Sequence, residues 1–283
     1  MSECTNSSGK CESCSVENCG QRKESLKIEA NQYSHIQNVV GVMSGKGGVG
    51  KSLITGELAV NLKDKGYKVG ILDADITGPS IPKMFGVHEP ALGNDQGIIP
   101  AYTDKGIEVI SINMMLENED DPVIWRGPVL AGIVQQFWNE VIWGELDYLL
   151  VDMPPGTGDV PLTVFQSLPI NGVVIVTSPQ ELVEMIVKKA YNMAKQMNIP
   201  VVGLVQNMSY LVCPDCGKKI YIYGEGKGKQ TAQELEIPSY ASLPIDPMIA
   251  KLCDSGEIEQ YENHDLENIV NYLEKVGTKK VKA

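Results

Sequence analysis

Short apolar runs of four or five residues recur along the chain, and longer amphipathic stretches separate several of them. The amphipathic stretches, at about residues 51–65, 129–141 and 182–197, repeat apolar side chains at helical spacing. The apolar runs have the length and continuous hydrophobicity of strands buried on both faces. They lie at residues 39–43, 68–72, 107–110, 148–151, 172–176 and 201–205. We therefore predict an α/β fold, with a mostly parallel central sheet flanked by helices on both faces.

The character of the sequence changes near residue 38. Residues 1–37 are rich in Ser, Asn, Glu and Cys and lack an apolar period, which predicts a flexible N-terminal tail that carries cysteines. Residues 38–278 carry the alternating pattern and form one predicted domain. Near its end, apolar residues at helical spacing from Leu266 to Val276 predict a helix that docks on the domain. A membrane-targeting helix is the alternative, which the acidic polar face of this segment disfavours.

Charge narrows the range of partners. The 283 residues include 24 Lys and Arg against 36 Asp and Glu, a net charge of −12. Such a chain repels nucleic-acid phosphates and anionic lipid head groups at long range, so we expect neither nucleic acid nor a membrane as a partner. The apolar runs are too short to cross a bilayer, and the N-terminus lacks the apolar segment of a signal peptide. We expect a cytoplasmic protein.

A glycine-rich segment directly follows the first apolar run and precedes the first helix. It fits G-x-x-x-x-G-K-[ST], a phosphate-binding loop whose backbone N–H groups and helix N-terminus face phosphate oxygens. We predict that Lys51 neutralises the β- and γ-phosphate oxygens of a nucleotide and that the Ser52 hydroxyl ligates Mg²⁺. The predicted nucleotide-binding residues of this loop are Gly45, Lys46, Gly47, Gly48, Val49, Gly50, Lys51 and Ser52.

Carboxylates follow two of the apolar runs. Asp73 and Asp75 come after the run at 68–72, and Asp152 comes after the run at 148–151. A carboxylate at the end of a strand near a phosphate loop is typical of a Mg²⁺ site, so we predict Ser52, Asp75 and Asp152 as metal ligands. The turn after Asp152 contains Gly156, whose backbone N–H is predicted to contact the γ-phosphate.

The seven cysteines fall in two clusters and a singleton. An odd count in a reducing compartment argues against disulfides and for metal binding. Cys213 and Cys216 supply two of the four thiolates that Zn²⁺ or a [4Fe–4S] cluster needs, so a second copy of the chain would complete either site. Cys253 is predicted to be a small buried residue. A second cluster is predicted on Cys4, Cys11, Cys14 and Cys19, with zinc or a redox-sensitive tail as alternatives.

Several segments resemble known families. The loop Lys46-Gly47-Gly48-Val49-Gly50-Lys51-Ser52 resembles the deviant Walker A loop of the MinD, ParA and nitrogenase iron protein group, in which the additional lysine reaches across a nucleotide-sandwiched dimer. The remaining segments resemble the Mrp/ApbC (Nbp-type) iron–sulfur cluster carrier ATPases. They lie at residues 73–82, 125–128, 152–159, 206–210 and 213–217.

This resemblance, which covers roughly residues 36–260, implies an ATP hydrolase that binds ATP and Mg²⁺. Because no glutamine or obvious base is present to activate the water, we predict slow hydrolysis. The resemblance also implies a homodimer that bridges a [4Fe–4S] cluster between Cys213 and Cys216 of both copies and transfers it to apo iron–sulfur client proteins. Asp75 would lie near the attacking water, and Asn207 would contact the adenine. The predicted catalytic residues are Lys46, Lys51 and Asp75. The N-terminal cysteines resemble the extra cluster site of the eukaryotic cytosolic branch, at a shorter spacing.

Two other functions stay open at this point. A positioning ATPase of the MinD/ParA type would share the loop but leaves the clustered cysteines unexplained. An ATP-dependent electron donor similar to the nitrogenase iron protein would share the bridged cluster, and would deliver electrons without losing iron.

Overall fold

The structure is a computed structural model that describes residues 27–75, 80–115, 127–180 and 183–277. The four N-terminal cysteines predicted as a second cluster site therefore lie outside the described residues. The strands are β1 His35–Ser44, β2 Val69–Asp73, β3 Leu92–Asn94, β4 Gly97–Ile99, β5 Ala101–Tyr102, β6 Glu108–Ser111, β7 Glu145–Asp152, β8 Gly172–Thr177, β9 Val201–Val212, β10 Lys219–Ile220 and β11 Tyr240–Pro244. The helices are α1 Lys51–Asp64, α2 Ile81–Met84, α3 Gly127–Asn139, α4 Asp159–Ser167, α5 Val183–Gln196, α6 Gly228–Glu234, α7 Pro247–Ser255 and α8 Glu267–Gly277.

A nine-stranded sheet forms the centre of the described residues. Its order is β10-β9-β8-β1-β7-β2-β6-β5, with β11 also paired to β9. The strands pair in parallel, apart from the two short edge strands β5 and β10, which pair antiparallel. This arrangement confirms the predicted α/β fold. The remaining strands β3 and β4 form a separate hairpin.

The sheet is buried on both faces by two apolar layers. Successive side chains of a strand point to opposite faces. Val39 of β1 therefore packs in one layer with Phe137 of α3, and Val40 packs in the other with Leu58 of α1 and Leu273 of α8. Helices α4 and α5 cover the first face together with α3. Burial on both faces explains why β2 and β8 are apolar without alternation.

The predicted helices at 51–65, 129–141 and 182–197 are observed as α1, α3 and α5, with ends shifted by at most two residues. Strand β9 differs from its prediction because it continues to Val212, seven residues beyond the apolar run that ends at 205. The polar residues Gln206, Asn207 and Ser209 end the apolar pattern, while pairing with β11 and β10 extends the strand.

The predicted domain boundary at 37/38 falls inside β1. The residues just before β1 also pack on the domain, since the Ile28 backbone N–H donates to the Ser167 carbonyl and the Trp138 indole donates to the Ile28 carbonyl. The helix predicted from Leu266 onward is observed as α8, and its apolar stripe is buried against the sheet. Among the described helices, none combines the length and apolar character that spanning a membrane requires.

Candidate functional site

Strands β1, β2 and β7 bring the candidate nucleotide site together. Val42 of β1 pairs with Asp152 of β7, and Asp73 of β2 pairs with the same aspartate. The carboxyl ends of these three parallel strands therefore meet at one edge of the sheet, which is where open α/β sheets bind ligands. The glycine-rich loop leaves β1 at this edge and enters α1.

The loop reaches α1 through Gly50, the N-cap residue. Gly50 has φ +82°, a left-handed conformation that favours glycine, and no side chain caps the helix. The first N–H groups of α1 are thus free of side-chain acceptors and point toward the loop. A Cβ on Gly50 would lie 2.3 Å from the Asn207 amide nitrogen, so the loop also packs directly on β9.

Lys51 lies among the predicted metal ligands. Its Nζ is 2.8 Å from Asp152 Oδ2 and 3.2 Å from Asp75 Oδ2. The Ser52 hydroxyl donates to Asp152 Oδ2 at 2.5 Å, and the Thr55 hydroxyl donates to Asp152 Oδ1 at 2.8 Å. The structure therefore brings together Lys51, Ser52, Asp75 and Asp152, as the sequence predicted. Thr55 was missed; it lies one helical turn after Lys51, the spacing that places it on the same face of α1.

The buried charges shift each other's proton affinities. Burial acts to lower the pKa of Lys51, but the carboxylates of Asp152 and Asp75 outweigh it and hold the pKa above its ordinary value. Burial, and then the charge of Asp152, raise the pKa of Asp73 well above its usual range. Asp73 accepts from the Ser111 hydroxyl at 3.0 Å and from the Asp75 backbone N–H at 3.1 Å, so it lies behind the site and fixes the backbone of Asp75.

A cavity of about 590 Å³ opens beside these residues. It is lined by the glycine-rich loop, Lys51, Ser52 and Asp75 on one side, and by Cys253 and Asp254 of α7 on the other. Cys253 is half-buried, and burial, followed by the charge of Glu57, raises the pKa of its thiol to about 11. The sequence prediction of Cys253 as a small packed residue did not anticipate that it lines this cavity.

Two predicted nucleotide contacts are occupied by protein atoms. The Gly156 backbone N–H, predicted to contact the γ-phosphate, donates to the Ser44 carbonyl at 2.8 Å. The Asn207 side chain, expected to contact adenine, donates from Nδ2 to the Val49 carbonyl at 3.0 Å and accepts at Oδ1 from the Met208 backbone N–H at 2.9 Å. In this conformation Asn207 therefore braces the glycine-rich loop.

Lys46, the additional lysine of the loop, has a different partner from Lys51, which contacts Asp75 and Asp152. The Lys46 ammonium donates to the Gln180 side-chain oxygen, in the segment that follows β8. Lys46 is partly exposed. Its charge therefore lies at the surface of the site, whereas the charge of Lys51 lies inside.

Cys213 and Cys216 lie in the turn that joins β9 to β10. The Cys213 backbone N–H donates to the Lys218 carbonyl at 3.0 Å, and the Gly217 N–H donates to the Cys213 carbonyl at 2.9 Å. This tight turn directs the backbone N–H groups of Cys216 and Asp215 at the Cys213 sulfur, which lowers the pKa of the Cys213 thiol. A stabilised thiolate is the form that binds metal.

The two thiols are accessible and incomplete as a metal site. Cys213 is partly exposed and Cys216 is exposed. Within the part of the chain that the structure describes, no group of three or more His, Cys, Asp or Glu residues could hold a metal ion. Exposed apolar side chains flank the turn, at Val212, Ile220, Tyr221, Ile222 and Tyr223.

The chain is similar to known proteins over most of its length. Residues 35–279 match the family described as ParA: NUBPL iron-transfer P-loop NTPase. An iron–sulfur cluster carrier protein of Clostridium perfringens is 47% identical over 260 residues, 89% of this chain and 91% of the relative.

Two solved structures extend the comparison. A nucleotide-binding protein of Archaeoglobus fulgidus in complex with ADP shares 46% identity, with a TM-score of 0.75 over 82% of this chain and 91% of that chain. The cell division ATPase MinD of Pyrococcus furiosus, at 20% identity and a TM-score of 0.56 over 87% of this chain and 99% of its own, shares the fold. The chain thus belongs to the NUBPL iron-transfer family of P-loop NTPases.

Proposed function

We propose that this chain is an ATP-dependent iron–sulfur cluster carrier that acts as a homodimer and hands a [4Fe–4S] cluster to apoproteins. The observation that carries the proposal is the Cys213–Cys216 turn, whose backbone favours thiolate and which continues the strand that contacts the glycine-rich loop. The name of the Clostridium perfringens relative, an iron–sulfur cluster carrier protein, supports the same function.

The nucleotide site supports binding of ATP with Mg²⁺. Ser52 and Asp152 offer adjacent hydroxyl and carboxylate oxygens, the ligands that Mg²⁺ prefers, and Asp75 pairs with the same Lys51 ammonium as Asp152. Bound Mg²⁺ would neutralise charge on the phosphates. Lys51 would turn from the carboxylates to the phosphate oxygens, and the N–H groups at the start of α1 would face the same charge.

Hydrolysis in this site would be slow. No glutamine or evident general base for the attacking water stands out in the sequence motifs, and in the structure Asp75 and Asp152 are paired with Lys51. Lys46 of the partner copy would neutralise the negative charge that develops on the phosphate oxygens during phosphoryl transfer. Before the dimer closes, Gln180 holds this ammonium at the surface of its own chain.

The cluster site requires two copies of the chain. A [4Fe–4S] cluster takes four thiolates, and each copy supplies Cys213 and Cys216. The apolar side chains beside the turn would be covered when two copies meet there, which supports association at this place. Zn²⁺ accepts the same four thiolates, so the two metals are distinguished by experiment.

The test is anaerobic reconstitution of a variant in which Cys4, Cys11, Cys14 and Cys19 are all serine. Iron and sulfide uptake, absorbance and EPR are measured, and then transfer to an apo-ferredoxin or apo-aconitase. We expect transfer of iron and sulfide from this variant, and loss of both uptake and transfer when Cys213→Ser and Cys216→Ser are added. Cys253→Ser in the same background is the matched control and should keep both.

The other outcomes decide between the alternatives. Electron delivery without loss of iron would indicate an electron donor rather than a carrier. A colourless protein that binds zinc, or full transfer by the Cys213→Ser/Cys216→Ser variant, would refute the proposal.

A further inference from the structure

Two neighbouring amide side chains on β9 connect the glycine-rich loop to the segment that leaves the cysteine turn. Gln206 and Asn207 are both buried, with 2% and 3% of their surface exposed. Because successive strand residues point to opposite faces, the two side chains reach different partners. Asn207 reaches the glycine-rich loop, where Nδ2 donates to the Val49 carbonyl.

The Gln206 side chain holds the segment at residues 225–228. Its Oε1 accepts from the Gly228 backbone N–H at 2.9 Å, and its Nε2 donates to the Glu225 carbonyl at 3.2 Å and to the Ser209 hydroxyl at 2.9 Å. All the polar atoms of this buried amide are therefore bonded within the protein. A buried amide of this kind fixes the position of its partners, since breaking any one bond leaves a buried polar group unsatisfied.

The segment lies directly against Gln206. A Cβ on Gly226 would be 2.7 Å from Gln206 Oε1, and a Cβ on Gly228 would be 2.3 Å from the same atom. Both positions are glycine, which permits this close approach. The other amide is approached as closely, since a Cβ on Gly50 would be 2.3 Å from Asn207 Nδ2. Each amide thus contacts a glycine-bearing segment without intervening space.

The cysteine turn is held at both of its ends by this arrangement. On entry, β9 runs from Gln206 to Val212 and leads directly into Cys213. On exit, the chain passes through β10 and returns to Gln206 at Glu225. Between the amides and the turn, Met208 has φ +56°, a conformation rare for a residue with a side chain, so β9 is strained close to both contacts.

The segment that Gln206 holds has space in which to move. A cavity of about 230 Å³ lies between Tyr223–Gly228 and the residues that follow β8, and Gln206 lines it. Gln180, which holds Lys46, lines the opposite side. The cavity therefore separates the segment that leaves the cysteine turn from the contact that holds the additional lysine.

We propose that Gln206 is a positioning residue that transmits the state of the nucleotide site to the Cys213–Cys216 turn. This inference rests on the proposed function, in which nucleotide and cluster sites act together. Displacement of the Val49 carbonyl by a nucleotide shifts Asn207 and the β9 backbone, and Gln206 passes that shift to the segment at 225–228. Coupling of this kind needs an element that both sites bias, and β9 contacts both.

The test measures the alkylation rates of Cys213 and Cys216 in the full-length, metal-free chain by peptide mass spectrometry. The rates are compared without nucleotide, with MgADP, and with a non-hydrolysable analogue of MgATP. In the parent chain we expect one of the two nucleotides to change the rate about fivefold or more, the lower end of ordinary coupling between sites. In Gln206→Leu, we expect nucleotide affinity within about twofold of the parent but alkylation rates that no longer respond.

The control is Gln135→Leu, which removes a half-buried amide from its hydrogen bond to Ser167, between α3 and α4. This variant should respond to nucleotide as the parent does. If Gln206→Leu does not fold, Gly228→Ala displaces the Gln206 amide while keeping its side chain, and should lose the response in the same way.

A nucleotide response of parent size in Gln206→Leu or Gly228→Ala would overturn the inference, and so would a parent chain whose thiols do not respond to either nucleotide. The measurement needs no cluster. Failure of cluster transfer would therefore refute the proposed function and leave this coupling to be decided separately.

Discussion

Replacing Lys51 by methionine should destabilise the nucleotide-free protein far more than the same change at Lys46. Lys51 is 5% exposed and lies 2.8 and 3.2 Å from the carboxylates of Asp152 and Asp75. Coulomb's law with an effective dielectric constant of about 20 gives about 6 kcal/mol for the shorter contact and about 5 kcal/mol for the longer one. Methionine fills similar volume but leaves both carboxylates buried without a cation.

The net loss is smaller than the two contact energies together, because burying the ammonium itself costs free energy. Breaking a buried ion pair by removing one partner costs about 3–5 kcal/mol in other proteins. We therefore expect Lys51→Met to lower the free energy of unfolding by about 3 kcal/mol. For a domain of this size, that corresponds to a melting temperature lower by roughly 6–12 °C.

The assay is thermal and urea unfolding of the full-length chain in EDTA, repeated in Mg²⁺. The cation should restore part of the lost stability in Lys51→Met, because it can take the place of the ammonium beside Asp152. Lys46→Met is the matched control; this partly exposed lysine contacts Gln180, and its loss should cost less than about 0.5 kcal/mol. Equal destabilisation by the two substitutions, or no effect of Mg²⁺, would refute the assignment of Lys51 as the internal counter-charge.

Three further predictions concern the buried carboxyl of Glu57, the thiols of Cys213 and Cys253, and the backbone conformation of Gly50. Burial raises the pKa of Glu57 from 4.5 to about 7, so the protonated carboxyl stabilises the fold at low pH and that stabilisation is lost as the pH rises through about 7. The free energy of unfolding of the parent chain should therefore fall by up to about 3 kcal/mol between pH 5 and 8. Urea unfolding of Glu57→Gln should not show this fall. Iodoacetamide at pH 7.5 should label Cys213 about tenfold or more faster than Cys253. Backbone N–H groups lower the pKa of the Cys213 thiol, whereas burial raises the pKa of the Cys253 thiol to about 11. Equal labelling of the two residues in peptide mass spectra would contradict this. Gly50→Ala should cost about 2 kcal/mol of stability and weaken ADP binding in calorimetry, because the new Cβ meets the Asn207 amide and φ is +82°.

The sequence pattern was sufficient for the elements that depend on local periodicity. The apolar runs and helical stretches predicted the central strands and α1, α3 and α5, because burial on both faces of a parallel sheet leaves a direct mark on composition. The convergence of Lys51, Ser52 and Asp152 was also predictable. Lys51 and Ser52 lie in the segment that follows β1, Asp152 ends β7, and the parallel strands of one sheet end at a common edge.

Features that depend on exact distances were not predictable in this way. Thr55 in α1 reads as an ordinary buried helix residue until its hydroxyl is found 2.8 Å from Asp152. The Gly156 N–H donates to the Ser44 carbonyl, a bond that its place in a glycine-rich turn does not indicate, and its contact with phosphate stays a prediction. Gln206 ended an apolar run and so predicted the end of a strand, whereas its side chain holds a segment some twenty residues further along the chain.

Lys51 supplies positive charge to the buried carboxylates of the nucleotide site. Asp73, Asp75 and Asp152 lie together at the ends of β2 and β7, and each is buried. Lys51 balances part of that charge from inside the site, at the position where a metal ion would otherwise be needed. A phosphate that draws Lys51 away leaves the carboxylates without a cation, whereas a Mg²⁺ ion arriving with the phosphate replaces the ammonium at once. Nucleotide and metal should therefore bind as a unit, because either alone leaves one buried charge without its partner.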